Sequence, residues 1–245
     1  MTNNPDQENA ILLLTRPLDG NERFCLKIKH LLSKCEILDS PIQKIEFLPS
    51  LSKVNKNAVL IFTSVNGLRA AEKHNLTNNR CFVVGKNTKK IAVSFGYEVL
   101  GFSKDQENLL KLIKSKKPTE SMVHIRGKHT VGNLCASLKK SEFSCLEIIG
   151  YNQEPLKIKK QNLQKIQSGR PVILPIFSSR SAKLLQSNID LTGFNVVAIS
   201  EAVAQILTGV ELGELVISKK PDLNSMQEAT LAILRRLIKF DRNKS

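Results

Sequence analysis

The chain has 245 residues, of which 41% are hydrophobic and 24% charged, a composition that is typical of globular proteins and unlike that of disordered ones. Its formal net charge is +15, and it contains no run of eighteen apolar residues, so we expect no membrane span. The polar start lacks the pattern of a secretion signal and the five cysteines form no CxxC pair, so we expect a protein of the reducing cytoplasm with neither a disulfide framework nor a zinc site.

The first predicted elements alternate short apolar strands with an amphipathic helix. The pattern predicts a strand at 11–15, a helix at 21–33 and a strand at 35–38. The connector between Pro41 and Pro49 contains "IQKIEF", whose alternation of apolar and polar residues is typical of an extended segment. A parallel crossover normally needs a helix, so this segment looks like a strand that leaves the domain.

Three more strand–helix pairs follow. We predict strands at 58–62, 81–84 and 97–100, and helices at 65–74, 88–95 and 106–116. Apolar strands that alternate with helices predict a parallel sheet covered on both faces. Residues 49–150 also hold 17 Lys and Arg against 7 Asp and Glu, an excess that attracts polyanions. The anion could be a nucleic acid, a membrane or a small polycarboxylate, and a solvated basic surface is an equal alternative.

The second half of the chain repeats the first. At an offset of 110 residues the first strand–helix–strand unit aligns with 121–148, and the matched pairs are Arg16 with Arg126, Cys25 with Cys135 and Cys35 with Cys145. At an offset of 115, "IFTSVNG" (61–67) aligns with "IFSSRSA" (176–182), and Gly85 with Ser200. Each pair of units supplies five strands, as in a flavodoxin-like domain. Pro175 lies inside one of these strands and lacks an N–H, so we expect that strand to be irregular.

Polar residues follow the predicted strands. Thr63-Ser64 and Ser178-Ser179 can cap the helices that begin there, or they can bind an anion at the carboxyl end of the sheet. The turn 85–88, "GKNT", lacks the spacing of a phosphate-binding P-loop and is either a plain turn or a similar anion site. Arg16 and Arg126 also follow strands, and each can fork onto a ligand carboxylate or pair with a surface acid.

No set of residues with the spacing of a catalytic triad or a metal site is evident. His124 and His129 lack nearby partners with ligand spacing, so surface or hydrogen-bonded histidines are favoured over a metal site.

Six motifs, in this order, resemble the uroporphyrinogen-III synthase family: "ILLLTRP", "IFTSVNG", "VVGKNT" with Gly96 following, "HIRGK", "IGYNQEP" and "IFSSRS". The resemblance spans about residues 11–240. It implies an enzyme of haem biosynthesis, a hydro-lyase without cofactor or metal, that cyclises hydroxymethylbilane to uroporphyrinogen III. Ring D is inverted through a spiro intermediate, chiefly because the enzyme holds the chain in position.

The resemblance also implies the fold: α/β, with two flavodoxin-like domains that have parallel sheets and are joined by a two-stranded extended linker. The first domain would combine residues 1–41 and 156–245. Residues 42–48 and 149–155 would be the linker strands, and 49–148 the second domain. In such a fold the two domains would offer several helix N-termini to one substrate with many carboxylates.

The functional residues follow from the same motifs. Tyr151, in "IGYNQEP", would hydrogen-bond the departing hydroxyl and assist its loss, or would instead pack the connector. The implied substrate-binding residues are Arg16, Thr63, Ser64, Asn66, Gly85, Lys86, Thr88, Arg126, Gly127, Ser178, Ser179 and Ser200. In "ISEAVA", Ser200 replaces the family's glycine and Val203 its threonine, and "IFSSRS" lacks the usual threonine.

Two other functions stay open at this point. A basic nucleic-acid-binding protein is disfavoured by the 5% of aromatic residues, the lack of Trp and the lack of a known motif. A two-domain ligand sensor that kept the fold and lost catalysis is the second. For the enzyme we expect hydroxymethylbilane, an octacarboxylate, as the partner. We expect no specific nucleic acid and no membrane, a monomer, and brief contact with the enzyme that makes hydroxymethylbilane.

Overall fold

The computed structural model describes residues 10–26, 28, 35–51, 54, 55, 57–77, 79–130 and 132–242. This part of the chain forms two β-sheets whose strands alternate with helices along the chain and pair mostly in parallel. The predicted α/β fold class is therefore confirmed. None of its helices is both long and apolar enough to cross a bilayer.

The strands and helices alternate along the chain as the periodicity predicts. The strands are β1 (Ala10–Leu14), β2 (Cys35–Asp39), β3 (Gln43–Phe47), β4 (Val59–Phe62), β5 (Arg80–Val84), β6 (Glu98–Ser103), β7 (Met122–Gly127), β8 (Cys145–Pro155), β9 (Val172–Ile176), β10 (Asn195–Ala198) and β11 (Glu214–Ile217). The helices are α1 (Leu18–Leu26), α2 (Val65–Lys73), α3 (Lys86–Ser94), α4 (Gln106–Lys116), α5 (Leu134–Lys139), α6 (Lys160–Ile166), α7 (Ser179–Asn188), α8 (Glu201–Ile206) and α9 (Leu223–Arg242).

The chain divides into two compact units. One runs up to Lys44 and resumes at Pro155, and the other is Ile45–Glu154. The sheet of the first unit has the order β11-β10-β9-β1-β2, which is the flavodoxin-like order. Alternate residues of β1 serve two cores, because Ile11 faces a cluster with α7 and α8 while Leu12 faces a cluster with α1 and α9.

The second unit has the sheet order β3-β8-β7-β4-β5-β6. Strands β4 to β8 are parallel to one another, with α2 and α3 over one face and α4 and α5 over the other. At the edge, Leu48 N–H donates to the Gly150 carbonyl and Leu156 N–H donates to the Ile42 carbonyl, so β3 and β8 run antiparallel. The repeated units occupy matching places in both sheets, although their order along the chain is reversed in the second unit.

Two predicted segments differ from the structure in extent. The helix predicted at 21–33 begins earlier, at Leu18, and is seen as far as Leu26. Residues 27 and 29–34 lie outside the described part of the chain. The strand after α5 and the predicted linker strand 149–155 form one continuous strand, β8, because the extended connector stays paired with β3.

The expected irregularity of strand β9 at Pro175 is wrong, because β9 is continuous over Val172–Ile176 and pairs with β10 without a shift in register. Its pairing with β10 continues to Ile176, whereas its pairing with β1 ends at Ile173. The Pro171 carbonyl accepts from Ile11 on β1, and backbone groups two and four residues further on point to the same side. The missing N–H of Pro175 therefore faces β1 beyond the point where that pairing has ended.

The expectation that the cysteines form no disulfide is wrong. Cys135 on α5 and Cys145 on β8 are joined by a disulfide, with their Cα atoms 5.3 Å apart. Cys25, Cys35 and Cys81 are free. The spacing of ten residues resembles no common motif, and the pair forms because the turn after α5 returns the chain beside the helix.

Two serines, 114 residues apart, cap the helices that follow β4 and β9. Ser64 Oγ accepts from Gly67 N–H at 3.3 Å, and Ser178 Oγ accepts from Ser181 N–H at 3.0 Å. Ser200 precedes α8 without a side-chain cap bond. The alignment of Thr63 with Ser178 is therefore one residue out of phase, and Thr63 and Ser179 are not the caps.

The caps give a first prediction. Ser178→Ala should lower the free energy of unfolding by about 1 kcal/mol, because it leaves an N-terminal amide of α7 without its acceptor. Ser200→Ala, in the same unit, should change it by less than about 0.5 kcal/mol. Urea unfolding followed by circular dichroism measures both, and equal losses would show that Ser178 does not act as a cap.

The predicted domain bounds give a second prediction. We propose that residues 42–156 fold when expressed alone, because this segment contains a complete sheet and both of its hydrophobic clusters. The control is residues 1–115, a fragment of equal length that divides both sheets. Cooperative thermal unfolding and dispersed amide resonances are expected for 42–156 alone, and an unfolded 42–156 would contradict the proposed bounds.

Candidate functional site

The candidate residues of the second unit gather at the carboxyl end of its sheet. Ser64 follows β4, Gly127 ends β7 and Tyr151 lies on β8, and these three strands are neighbours in the order β8-β7-β4. Parallel strands end at the same edge, so residues far apart in sequence meet there.

The central contact joins Tyr151 to Ser64. The Tyr151 hydroxyl lies 2.9 Å from Ser64 Oγ, which also accepts the amide of Gly67 in the first turn of α2. Burial raises the pKa of Tyr151, while the hydrogen bond from Ser64 acts in the opposite direction. The phenol therefore stays protonated at neutral pH, and it is held through Ser64 by the N-terminus of a helix.

Gly127 makes room for the Tyr151 ring. A Cβ at position 127 would lie 2.7 Å from Tyr151 Cε2 and 3.0 Å from its hydroxyl oxygen. The pairing of β7 with β8 shifts by one residue after Arg126, so Gly127 lies opposite Tyr151 instead of Gly150. The irregularity thus aims the ring across β7.

Gly67 has a similar role one turn into α2. A Cβ there would lie 2.5 Å from the Ile125 carbonyl oxygen, so only glycine lets α2 pack this closely on β7. This close approach brings the start of α2, with Ser64, towards Tyr151.

Thr63 contacts a buried histidine instead of capping a helix. Its Oγ1 lies 3.1 Å from Nε2 of His124, which is 2% exposed. Burial lowers the pKa of His124 to about 4, so the imidazole is neutral at neutral pH. Its Nδ1 has no hydrogen-bond partner among the described residues, so His124 is neither a surface nor a fully hydrogen-bonded histidine, contrary to expectation. His129 is exposed.

Arg126 is held by an acid that sequence reasoning missed. Its Nε donates to Glu147 Oε2 at 2.8 Å, and its Nη1 donates to the Gly127 carbonyl at 2.9 Å. Glu147 lies opposite His124 in the pairing of β7 with β8. Only the register of β7 with β8 reveals that Glu147 lies beside His124, because 23 positions separate these two residues in the sequence.

The "GKNT" turn lies one strand further along the same edge. Gly85 has a positive φ of 89° and precedes α3, Lys86 is exposed, and Thr88 is buried. Asn66 lies in the first turn of α2, where its side chain makes no hydrogen bond within the described part of the chain.

The first unit holds the remaining candidates. Ser178 bonds with Ser181, and Ser179 is exposed. The Arg16 guanidinium stacks 4.2 Å above the Phe177 ring, and its Nη1 lies 3.4 Å from the Gly20 carbonyl. Burial is the main cause that lowers the pKa of Arg16. Arg16 thus lies close to the end of β9. No carboxylate of the described residues lies within 4 Å of its guanidinium nitrogens.

The equivalent turn of the first unit has the opposite charge. Ser200, Glu201 and Val203 stand where the second unit has Gly85, Lys86 and Thr88. A glutamate in the first turn of α8 repels an anionic ligand, whereas Lys86 attracts one. Val203 is buried, so the threonine hydroxyl is replaced by a methyl group at a core position. The turn of the second unit is therefore the better candidate for binding an anion.

A cavity of about 740 Å³ lies elsewhere, at the amino end of the first unit's sheet. Gly169, Arg170, Asn188 and Phe194 line it, and it includes none of the candidate residues. It therefore does not belong to the candidate site.

Comparisons with known proteins agree with this fold. Residues 33–228 match the family model described as uroporphyrinogen-III synthase HemD. No curated protein sequence matches the chain. The solved uroporphyrinogen-III synthetase of Helicobacter pylori 26695 has a TM-score of 0.67 at 16% identity, over 92% of this chain and 99% of that one. A mutant uroporphyrinogen III synthase of Thermus thermophilus has a TM-score of 0.52 at 15% identity, over 94% of this chain and 99% of that one.

The structural likeness establishes the fold, and the family match establishes the kinship because it covers most of the chain. Neither comparison supports a nucleic-acid-binding protein or a sensor. The resemblance found in the sequence is thereby confirmed, and the chain belongs to the uroporphyrinogen-III synthase family, the enzymes that make uroporphyrinogen III in tetrapyrrole biosynthesis.

Proposed function

We propose that the chain cyclises hydroxymethylbilane to uroporphyrinogen III, with Tyr151 as the proton donor to the departing hydroxyl. The observation that carries the assignment of Tyr151 is its 2.9 Å hydrogen bond to Ser64, at the sheet edge where the second unit's candidate residues gather. Family membership supplies the reaction, and the contact supplies a held, protonated hydroxyl to assist it.

The reaction is a ring closure with loss of water, so it is redox-neutral and of the hydro-lyase type. The substrate hydroxyl leaves with a proton as water, and the remaining linear tetrapyrrole becomes a resonance-stabilised cation. Ring D is attacked at its substituted carbon to give the spiro intermediate, and rearrangement then inverts the ring. A ring carbon finally loses the proton that replaces the one donated.

The hydrogen-bond chain explains how Tyr151 can donate. Gly67 N–H donates to Ser64 Oγ, and the Ser64 hydroxyl proton is then free to point at the Tyr151 oxygen. The phenol proton is left for the substrate hydroxyl. In this arrangement the N-terminal dipole of α2 also stabilises negative charge on the phenol oxygen as the proton leaves.

Substrate carboxylates need fixed donors as well as a basic surface. One exposed ion pair contributes only about 0–1 kcal/mol, so scattered lysines would not fix a flexible chain. The amides that begin α2 and α3 are fixed by the fold, and the exposed Lys86 adds a positive charge beside the start of α3. The excess of basic residues in 49–150 would steer the octacarboxylate to them. We further propose a cytoplasmic monomer that briefly contacts the enzyme supplying hydroxymethylbilane.

The proposed function predicts the isomer that the purified chain makes. Hydroxymethylbilane should be converted to the type III isomer, and chromatography of the oxidised products separates it from the type I isomer. The control is the same substrate without protein, which closes to type I. Type I product alone, at the rate of the control, would contradict the proposed function.

Tyr151→Phe tests the proton donor. Turnover should fall by about 10²-fold, the lower range for general acid catalysis. The product should still be type III and KM should change little, because the ring keeps its place over Gly127. The free energy of unfolding should fall by no more than about 1 kcal/mol, the cost of one hydrogen bond.

Tyr97→Phe is the matched control. Tyr97 is buried, its ring contacts Phe62 edge-on, and its hydroxyl has no hydrogen-bond partner among the described residues. This variant should keep full turnover.

Since a raised pKa keeps Tyr151 protonated, its proton should be lost only above about pH 10, the ordinary phenol value. Normal turnover of Tyr151→Phe would make Tyr151 structural, and mainly type I product would make it a positioning residue for ring D.

A further inference from the structure

A second group of polar residues lies below the candidate site, on the face of the second unit's sheet that α4 and α5 cover. It comprises His124 on β7, Cys135 on α5, and Cys145 and Glu147 on β8, and we refer to it as the His124 cluster. One ligand atom each from His124, Cys135 and Glu147 lie within 4.8 Å of one another. Cys145 belongs to the same group, because it is bonded to Cys135.

The His124 cluster is distinguished by one buried ring nitrogen, Nδ1 of His124. Among the described residues His124 Nδ1 has no hydrogen-bond partner, and it lies 3.9 Å from Glu147 Oε1, too far for a hydrogen bond. A buried polar atom without a partner is costly, so its retention needs an explanation. In the tautomer whose Nε2–H donates to Thr63 Oγ1, Nδ1 carries a lone pair that can bind a cation.

We propose that the reduced chain binds one Zn²⁺ through His124 Nδ1, Cys135 Sγ, Cys145 Sγ and Glu147 Oε1. Two thiolates, an imidazole and a carboxylate are a ligand set that suits tetrahedral zinc. At bond lengths of about 2.0–2.3 Å the ligand atoms of such a site are roughly 3.3–3.8 Å apart. The three atoms within 4.8 Å need to approach by roughly 1–1.5 Å at most, and the two sulfurs separate once reduced.

The surroundings complete the site. Arg126 Nε donates to Glu147 Oε2 at 2.8 Å, which leaves Oε1 for the metal. Thr63 Oγ1 lies 3.1 Å from His124 Nε2, which leaves Nδ1 for the metal. These are the partners that orient metal ligands. Two thiolates and a carboxylate balance Zn²⁺ and Arg126, so the site carries no net charge although three of its ligands are at most 2% exposed. The Glu147 side chain, 32% exposed, provides the way in.

The oxidation state decides whether the site exists. Reduction of the disulfide by a phosphine consumes one water and yields two thiols and the phosphine oxide, and zinc binding then releases the two thiol protons. In the oxidised chain the sulfurs are bonded to each other and cannot act as thiolates. In the reduced chain, zinc would join β7, α5 and β8 beneath Thr63, in place of the disulfide.

The repeat supplies a control within the same chain. Cys25 and Cys35 match Cys135 and Cys145 at the offset of 110, but the residues that match His124 and Glu147 are Leu14 and Ile37. Cys25 and Cys35 pack in one hydrophobic cluster and are free. This pair has thiols without the imidazole and the carboxylate, so it should not bind zinc tightly.

The test is Zn²⁺ titration of the full chain against a chromophoric chelator, after phosphine reduction and removal of the phosphine. One Zn²⁺ per reduced chain is expected, and none in the chain kept oxidised. Co²⁺ should give the visible bands of a tetrahedral site and a thiolate charge-transfer band. The Cys25→Ser/Cys35→Ser variant should bind like the wild type, and Cys135→Ser/Cys145→Ser should not bind.

Two milder variants guard against a loss that is due only to unfolding. Glu147→Gln keeps a partner for Arg126, and Thr63→Val removes only the contact to His124. The first should weaken zinc binding at least about 10-fold and the second about 10–100-fold, with the fold checked by circular dichroism. No zinc in the reduced wild type, or binding that survives Cys135→Ser/Cys145→Ser, would overturn the proposal.

Discussion

The parallel alignment of β4, β7 and β8 is the constraint on which the candidate site depends. Strands β4 and β7 are apolar and buried along most of their length, and all three reach the same edge of one sheet. Chemistry-bearing residues that are 87 positions apart, Ser64 and Tyr151, therefore meet at hydrogen-bond distance. The two glycines at 67 and 127 remove the Cβ atoms that would keep α2 and the Tyr151 ring away from β7.

The duplicated halves have diverged in charge and chemistry more than in fold. Both sheets place the repeated units in matching positions, and both have serine-capped helices at the carboxyl end. Among the described residues, the second unit combines Lys86, a buried threonine and the Tyr151–Ser64 contact, while the first has Glu201 and Val203 at the matching places. The groups proposed for substrate binding and proton donation are therefore concentrated at the carboxyl end of the second unit's sheet.

Much of the fold could be predicted from the sequence. The spacing of apolar residues and the hydroxyl residues at strand ends depend only on interactions between residues that are close in the sequence. The family resemblance was accessible from the order of six short motifs. What failed depends on contacts between distant segments. The one-residue shift that sets Tyr151 opposite Gly127 and the meeting of His124 with Glu147 follow from the register of β7 with β8, which no single segment encodes. The Cys135–Cys145 bond depends on how α5 packs beside β8. The caps differ from the alignment by one residue because each helix begins at its own residue.

The central claim is that Ser64 and Tyr151 act as one hydrogen-bonded unit in catalysis, and a double-mutant cycle on turnover tests it most directly. Ser64→Ala, Tyr151→Phe and the double variant would be compared with the wild type in single-turnover measurements. If the unit exists, the double variant should be within about threefold of Tyr151→Phe alone, because a serine cannot orient a hydroxyl that is absent. If the two losses multiply, the residues act independently and the account is wrong.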